Sequence, residues 1–198
     1  ESVNKEDSSV RIGAIMGLGL AYAGCQKEEV QELLVPIITD ESVPMDVVAF
    51  AALSLGLVFV GTCHEECVQA IVQALMLRPE KDLEHPFTKF LCLGLGLLFL
   101  QRQAEVEATL EVAKTLCPRV SEFLQVTLEV CAYAGSGNVL KVQAMLARCG
   151  AHPDLDGDET AEGEEPAAGE SGEVESKEWL ADPQSIAALG VALIASGE

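Results

Sequence analysis

The chain has 198 residues, 49% of them hydrophobic but only 5% aromatic, and a formal net charge of −20. That length supports one ordinary domain with a real core, and so few aromatics make the core aliphatic and rich in small residues. The acidity excludes a nucleic-acid-binding role, which needs a basic footprint, and favours partners with basic surfaces.

The first predicted element runs from the capping residues Asp7-Ser8-Ser9 through Ile12-Gly-Ala-Ile-Met-Gly-Leu-Gly-Leu-Ala-Tyr-Ala-Gly24. It is an apolar helix studded with small residues, ending at a glycine suited to a left-handed C-cap. After a short turn, Glu28 to Ile38 is amphipathic, with Val30, Leu33, Leu34 and Ile37 on one side at helical spacing. The unit then returns. Pro44 opens a second small-residue helix, Gly61 closes it, and Glu65 to Arg78 follows as an amphipathic helix. Pro86 opens the third pair, whose second helix spans about Ala104 to Leu116. Pro118 opens the fourth, Gly135 closes its first helix, and Val139 to Cys149 is its second. Pro183, with Asp182 as its cap, opens a last small-residue helix. Proline in the first turn and glycine just past the end is the polarity helices require.

The small-residue helices are copies of one another. Aligned on Leu18, the equivalents are Leu55, Leu95, Glu129 and Val191, at spacings of 37, 40, 34 and 62. Repetition at this period marks stacked helix pairs. Short loops favour antiparallel neighbours, so the fold class is an all-α solenoid. Glycine inside a helix costs about 1 kcal/mol against alanine. Its recurrence at Gly17, Gly19, Gly56, Gly94 and Gly96 implies a packing gain, with small helices crowding on a concave side and bulkier amphipathic helices splayed outside. Strong curvature follows, and in the limit a closed ring.

The spacing of 62 has a cause in composition. Between Asp154 and Glu178 lie 11 Asp/Glu and one Lys, a net −10, separated mostly by Gly, Ala, Ser and Pro. Such a segment cannot bury enough apolar surface to order itself and is expected to be a disordered acidic loop. The chain therefore divides into a helical repeat domain at 1–150, an acidic insertion at 151–181, and the inner helix of a further repeat at 182–198. It starts without Met and stops inside a copy of the repeat, which reads as a piece of something longer.

Other motifs fail on their surroundings. Asp154 to Glu165 places oxygen donors like a calcium loop, but Glu159 occupies the glycine position, and Pro153 and Pro166 replace flanking helices. Cys63-His64 with Cys67 is half a zinc site without its second pair, and the seven cysteines read as reduced, mostly buried thiols of a cytosolic or nuclear protein. Val47 to His64 is 18 residues without charge, the threshold for a membrane span, yet no Lys/Arg cluster flanks it and acidic helices alternate with every copy. Gly17-Leu-Gly19 and Gly94-Leu-Gly96 lack the strand and the Lys-Ser/Thr of a phosphate loop. His64, His85 and His152 are far apart in sequence, no nucleophile–base set forms, and nothing calls for a cofactor.

The informative surface is amphipathic. On the helix from Glu65, the residues Cys67, Ile71 and Leu75 are spaced for burial, helped by Val68 and Val72. The opposite stripe is Glu66, Ala70, Gln73 and Leu77, at i, i+4, i+7 and i+11. Asp40 and Glu41 precede it, and Glu105, Glu107 and Glu111 follow on the next outer helix. Acids around modest apolar contacts suit a partner with a basic-rimmed hydrophobic patch; a solvated face is the alternative.

The copies Leu-Gly-Leu-Ala-Tyr-Ala-Gly24, Leu-Gly-Leu-Val-Phe-Val-Gly61-Thr62 and Cys131-Ala-Tyr-Ala-Gly-Ser-Gly137 resemble the proteasome/cyclosome repeat. The resemblance covers the chain outside the acidic segment. It implies a toroid with two concentric layers of helices, no enzymatic activity, and a place in the cytoplasm and nucleus. It further implies contacts with proteasomal ATPases and other regulatory-particle subunits, and outer helices that dock ubiquitin and the ubiquitin-like domains of shuttle receptors. Ubiquitin-fold partners carry an apolar patch edged by Lys and Arg. Carried over, the receptor helix is Glu65 to Arg78. Glu66 keeps an acid of the family's binding helix, and Gln73 and Leu77 stand where relatives can carry further acids. The implied site comprises Asp40, Glu41, Glu66, Gln69, Ala70, Gln73, Leu77 and Glu105.

Overall fold

A computed structural model describes residues 8–150 and 183–197. The acidic insertion, the calcium-like pattern and the cap Asp182 lie outside the described residues. Ten helices and no strand occur among those residues: α1 (Ser8–Ala21), α2 (Glu28–Thr39), α3 (Met45–Val58), α4 (Glu65–Leu77), α5 (Glu80–Leu83), α6 (Thr88–Leu98), α7 (Glu107–Ala113), α8 (Pro118–Tyr133), α9 (Val139–Gly150) and α10 (Pro183–Ala195). The small-residue helices α1, α3, α6, α8 and α10 pack each against the next. The amphipathic helices lie against this row, α2 on α3, α4 on α6, α7 on α8 and α9 on α10, and α2 also packs on α4.

Close approach explains the glycines. A Cβ on Gly56 would lie within contact of the Gly94 backbone, and one on Gly94 within contact of the Ala52 carbonyl, so α3 and α6 touch backbone to backbone. Gly19 meets Ser54 at 2.6 Å in the same sense, and Ser54 Oγ donates to Ile15 O across α1 and α3. Gly17 differs from expectation: nothing lies within 4 Å of a Cβ there, because it falls on the face of α1 away from α3. Around these contacts sit Leu55, Leu91, Leu95, Leu98, Leu124 and Leu128, all fully buried.

The ends of the small-residue helices are tied by a repeated backbone clasp. Helix C-termini leave carbonyls without intrahelical donors. The turn of the preceding repeat supplies them. Gly24 N–H donates to Leu57 O (2.9 Å) and Gln26 N–H to Val58 O (3.1 Å). Gly61 and Cys63 donate to Leu97 O and Leu98 O (2.9 and 3.0 Å), Gln101 to Cys131 O (3.1 Å), and Gly135 and Gly137 to Leu193 O and Ile194 O (both 2.8 Å). Aiming these N–H groups needs left-handed backbone, with φ of +65° at Gly61 and +62° at Gln101, where a side chain is tolerated in place of glycine. Opposite signs are expected on substitution. Gly61→Ala should lower stability by about 1–2 kcal/mol, since Leu100 O would also stand 3.0 Å from the new Cβ. Gln101→Gly should be neutral or raise it by less than about 1 kcal/mol. Urea denaturation of both variants checks the pair, and equal effects would show that the turns are not under this constraint.

Three parts of the sequence reading change. The third amphipathic helix shortens from Ala104–Leu116 to Glu107–Ala113: residues 103–106 form turns after Gln101, which carries the clasp, and residues 114–116 turn away with Thr115 N–H on Val112 O and Leu116 N–H on Ala113 O. Pro86 does not begin α6; His85, Pro86 and Phe87 make a turn closed by Thr88 N–H on His85 O (3.0 Å), and the one-turn α5 precedes it. Of the seven cysteines, only Cys67, Cys92 and Cys131 are buried, whereas Cys25 is exposed. Burial pushes those three thiols up to about 12. A thiol reagent at neutral pH should therefore consume Cys25 at once and leave these three untouched until the chain unfolds. Rapid native-state loss of Cys92 would disprove the packing of α6.

Glu129 occupies a position that is apolar in the other copies. Its half-buried carboxylate meets Lys141 Nζ at 2.9 Å and Arg148 Nη1 at 3.1 Å, both on α9, so paired charge replaces aliphatic packing.

Candidate docking surface

Helix α4 begins after the left-handed Cys63 and ends at Arg78, whose N–H closes on Ala74 O. Cys67, Ile71 and Leu75 are fully buried, as their spacing predicts. The exposed residues are Glu65, Glu66, Gln69, Gln73, Met76 and Leu77. Ala70 is a correction to the expected stripe: it is only 4% exposed, with Ala74 beside it at 5%. One hundred degrees per residue puts Ala70 about 40° around the helix from Glu66, on the side against which α2 packs. A short side chain at that boundary is covered by the neighbouring helix. The outward line is instead Glu66, Gln69, Gln73 and Leu77, with Met76 beside Leu77.

Two borders frame the line. On the α2 side, Gln31 is 7% exposed and its Nε2 donates to Glu66 Oε2 at 2.5 Å. At the far end of the same side, Arg78 donates to the carbonyls of Asp40 and Val43, which brings the exposed Asp40 and Glu41 to the Leu77 end of α4. Helices α2 and α4 therefore run parallel, with Glu66 and the acidic turn about 16 Å apart along the axis. On the α7 side, Cys63, Val68, Val72, Phe99, Ala108 and Val112 line a groove of about 480 Å³, with Glu65 and Glu105 at its edge.

The expected site residues thus divide. Asp40, Glu41 and Leu77 stand at one end, Glu66 at the other, and Gln69 and Gln73 between; Glu105 and Glu65 both line the groove on the α7 side. Met76 and Leu77, at 57% and 58% exposed, are the largest apolar exposures on the helix. Met76 falls outside the i, i+4, i+7, i+11 series, and Gln31 and Arg78 act across elements 35 and 38 residues apart in sequence. Only the repeat spacing, 37 residues in this part of the chain, hinted that α2 and α4 would be neighbours. The half zinc site does not assemble: Cys67 is in the core, Cys63 is half-buried, and the His64 ring packs on Phe59 at 4.8 Å.

Residues 13–47, from α1 through α2 into α3, match the proteasome/cyclosome repeat. The chain carries that repeat. It is 44% identical over 149 residues to the 26S proteasome non-ATPase regulatory subunit 2 of Dictyostelium discoideum, covering 75% of this chain and 17% of that protein. It is 39% identical over 178 residues to the 26S proteasome regulatory subunit rpn1 of Schizosaccharomyces pombe, covering 90% of this chain and 18% of that protein. It is 57% identical over 119 residues to the 26S proteasome non-ATPase regulatory subunit 2 homolog B of Arabidopsis thaliana, covering 60% and 13%. The chain is homologous to a segment of these subunits and spans under a fifth of their length. The matched repeat contains Gln31, Asp40 and Glu41, so one border of the α4 surface is built from it. None of the helices among the described residues is long and apolar enough to cross a membrane.

Proposed function

We propose that this chain is a non-catalytic scaffold and receptor segment of the proteasome regulatory particle. Its outer face, centred on α4, docks ubiquitin and the ubiquitin-like domains of shuttle receptors, in the cytoplasm and nucleus. Its row of small-residue helices continues into a two-layered toroid with further repeats of a longer chain, which places it among the proteasomal ATPases and other regulatory-particle subunits. The observation that carries the docking reading is the exposed pair Met76 and Leu77 with Asp40 and Glu41 at the same end of α4 and Glu66 at the other. An apolar patch edged by Lys and Arg is complementary to that surface in both polarity and charge.

A purely structural spacer is the second reading. It is favoured by the engagement of Glu66 with Gln31 and by the burial of Ala70, both of which spend surface residues on internal packing. Titration of the isotope-labelled chain with ubiquitin, followed amide by amide, separates the two. Shifts confined to α4 and the Asp40–Val43 turn are expected for docking, and an unchanged spectrum would leave the spacer.

A further inference from the structure

Arg78 follows the exposed Leu77 directly, yet it is only 6% exposed. Its guanidinium turns toward the loop between α2 and α3, where Nη1 donates to Val43 O at 3.1 Å and Nη2 to Asp40 O at 2.8 Å. The loop between those carbonyls is closed on itself. Val43 N–H donates to Asp40 O (3.2 Å), and Asp40 Oδ1 accepts from Ser42 N–H (2.9 Å) and Ser42 Oγ–H (2.7 Å). The hydrogen bonds from Ser42 hold the Asp40 carboxyl below its usual range. Asp40 and Glu41 nevertheless point to solvent. The arrangement is an acidic turn, hydrogen-bonded within itself and held at both of its ends by Arg78, the residue that follows α4.

We propose that Arg78 is a positioning residue for the docking surface. It fixes the acids of the Asp40–Val43 turn beside Met76 and Leu77, so that a partner's Lys or Arg meets a carboxylate already in place. The proposal rests on the docking reading above and adds a residue that touches no partner. The physical basis is preorganisation. An acid on a free loop must be ordered when a partner binds, and that ordering subtracts from affinity, whereas a clamped acid contributes its attraction undiminished. A guanidinium suits the task because its planar fork serves two carbonyls at fixed separation; an ammonium is a point donor that serves one of them well.

The test is a double-variant cycle on the full 198-residue chain, with ubiquitin as the probe. Binding is measured for the parent, Glu41→Arg, Arg78→Met, Arg78→Lys and the Glu41→Arg/Arg78→Met pair, with amide hydrogen exchange recorded at Ser42 and Val43. In the parent background Glu41→Arg should weaken binding about fivefold, and in the Arg78→Met background less than about twofold, because the acid there is no longer held. Arg78→Met alone should weaken binding and speed exchange at Ser42 and Val43, with Arg78→Lys between it and the parent. A merely structural arginine would not alter the effect of Glu41→Arg, so equal effects in both backgrounds overturn the proposal. Should Arg78→Met not fold, Arg78→Lys carries the same cycle. Parent-like binding by Arg78→Met, with binding lost on substitution at Glu66 and Leu77, overturns the positioning role alone. A parent that does not bind ubiquitin overturns the docking reading and the positioning role together.

Discussion

Gly94→Leu, in the α3–α6 contact, is expected to destabilise the chain by more than about 3 kcal/mol. Helix propensity favours the substitution by almost 1 kcal/mol. Sterics oppose it far more strongly, because even the first added carbon would lie 2.6 Å from the Ala52 carbonyl carbon and 2.9 Å from Leu53 N. Those are backbone atoms of a neighbouring helix and cannot rotate aside. Overpacking that side chains can absorb costs about 1–3 kcal/mol. Here α3 and α6 must separate along their contact, so the loss should exceed about 3 kcal/mol, a large share of the roughly 5–15 kcal/mol that holds a typical domain. Two variants calibrate the result. At Gly96 the obstacles are Cys131 Sγ at 2.9 Å and Thr127 Cγ2 at 3.2 Å, both on side chains, so Gly96→Leu should destabilise less. At Gly13 nothing lies within 4 Å, so Gly13→Leu should melt at or above the parent temperature. Thermal unfolding followed by circular dichroism ranks the three. If Gly94→Leu melted with the parent, the backbone contact between α3 and α6 would not exist in solution.

That ranking shows where the sequence was legible. Recurrence of glycine in register identified a crowded helix layer, because a composition that costs helix stability in several copies needs a compensating contact. It could not say which glycines make the contact. Gly17 and Gly19 are two residues apart and read alike, yet one faces open space and the other faces Ser54. The distinction is one of helix rotation, set by which neighbour each face meets. The turn glycines were legible for the same local reason, and Gln101 was not, since its left-handed backbone is imposed by the carbonyl of Cys131 on another repeat. On α4 the buried side followed from periodicity, because apolar spacing is a property of one helix. Ala70 misled because alanine carries little hydrophobic signal and its burial depends on how close α2 comes. Gln31 and Arg78 were invisible as site residues, each being a polar side chain whose partner lies on a neighbouring repeat.

Glu66→Arg combined with Leu77→Arg is expected to remove ubiquitin binding while leaving the fold intact. Both side chains are on the outward line of α4, and Leu77 is 58% exposed, so neither change enters the core. Ala70→Arg would not serve this purpose, since a long charged side chain at a position 4% exposed would lever α2 away from α4. Glu66→Arg alone replaces attraction by repulsion toward a basic-rimmed partner. An exposed charge contributes on the order of 1 kcal/mol or less, so with the reversal the loss should reach about tenfold at most. Part of it reflects the broken hydrogen bond from Gln31, and Glu66→Gln, which keeps an acceptor without the charge, separates the two contributions. Leu77→Arg acts differently. It sets a charge against the partner's apolar patch and removes half of the exposed Met76–Leu77 pair, the apolar part of the contact. With both changes, affinity should fall by more than about a hundredfold, the two sites being far enough apart for their effects to add. Circular dichroism should match the parent, and stability should fall by no more than the about 1–3 kcal/mol that the lost hydrogen bond from the buried Gln31 costs, the same loss being absent in Glu66→Gln. A double variant that bound ubiquitin as the parent does would move the docking site off this line, to the groove between α4 and α7. There Val68, Val72 and Val112 provide the apolar floor and Glu65 and Glu105 the acids, and Val72→Arg would then be the substitution that abolishes binding.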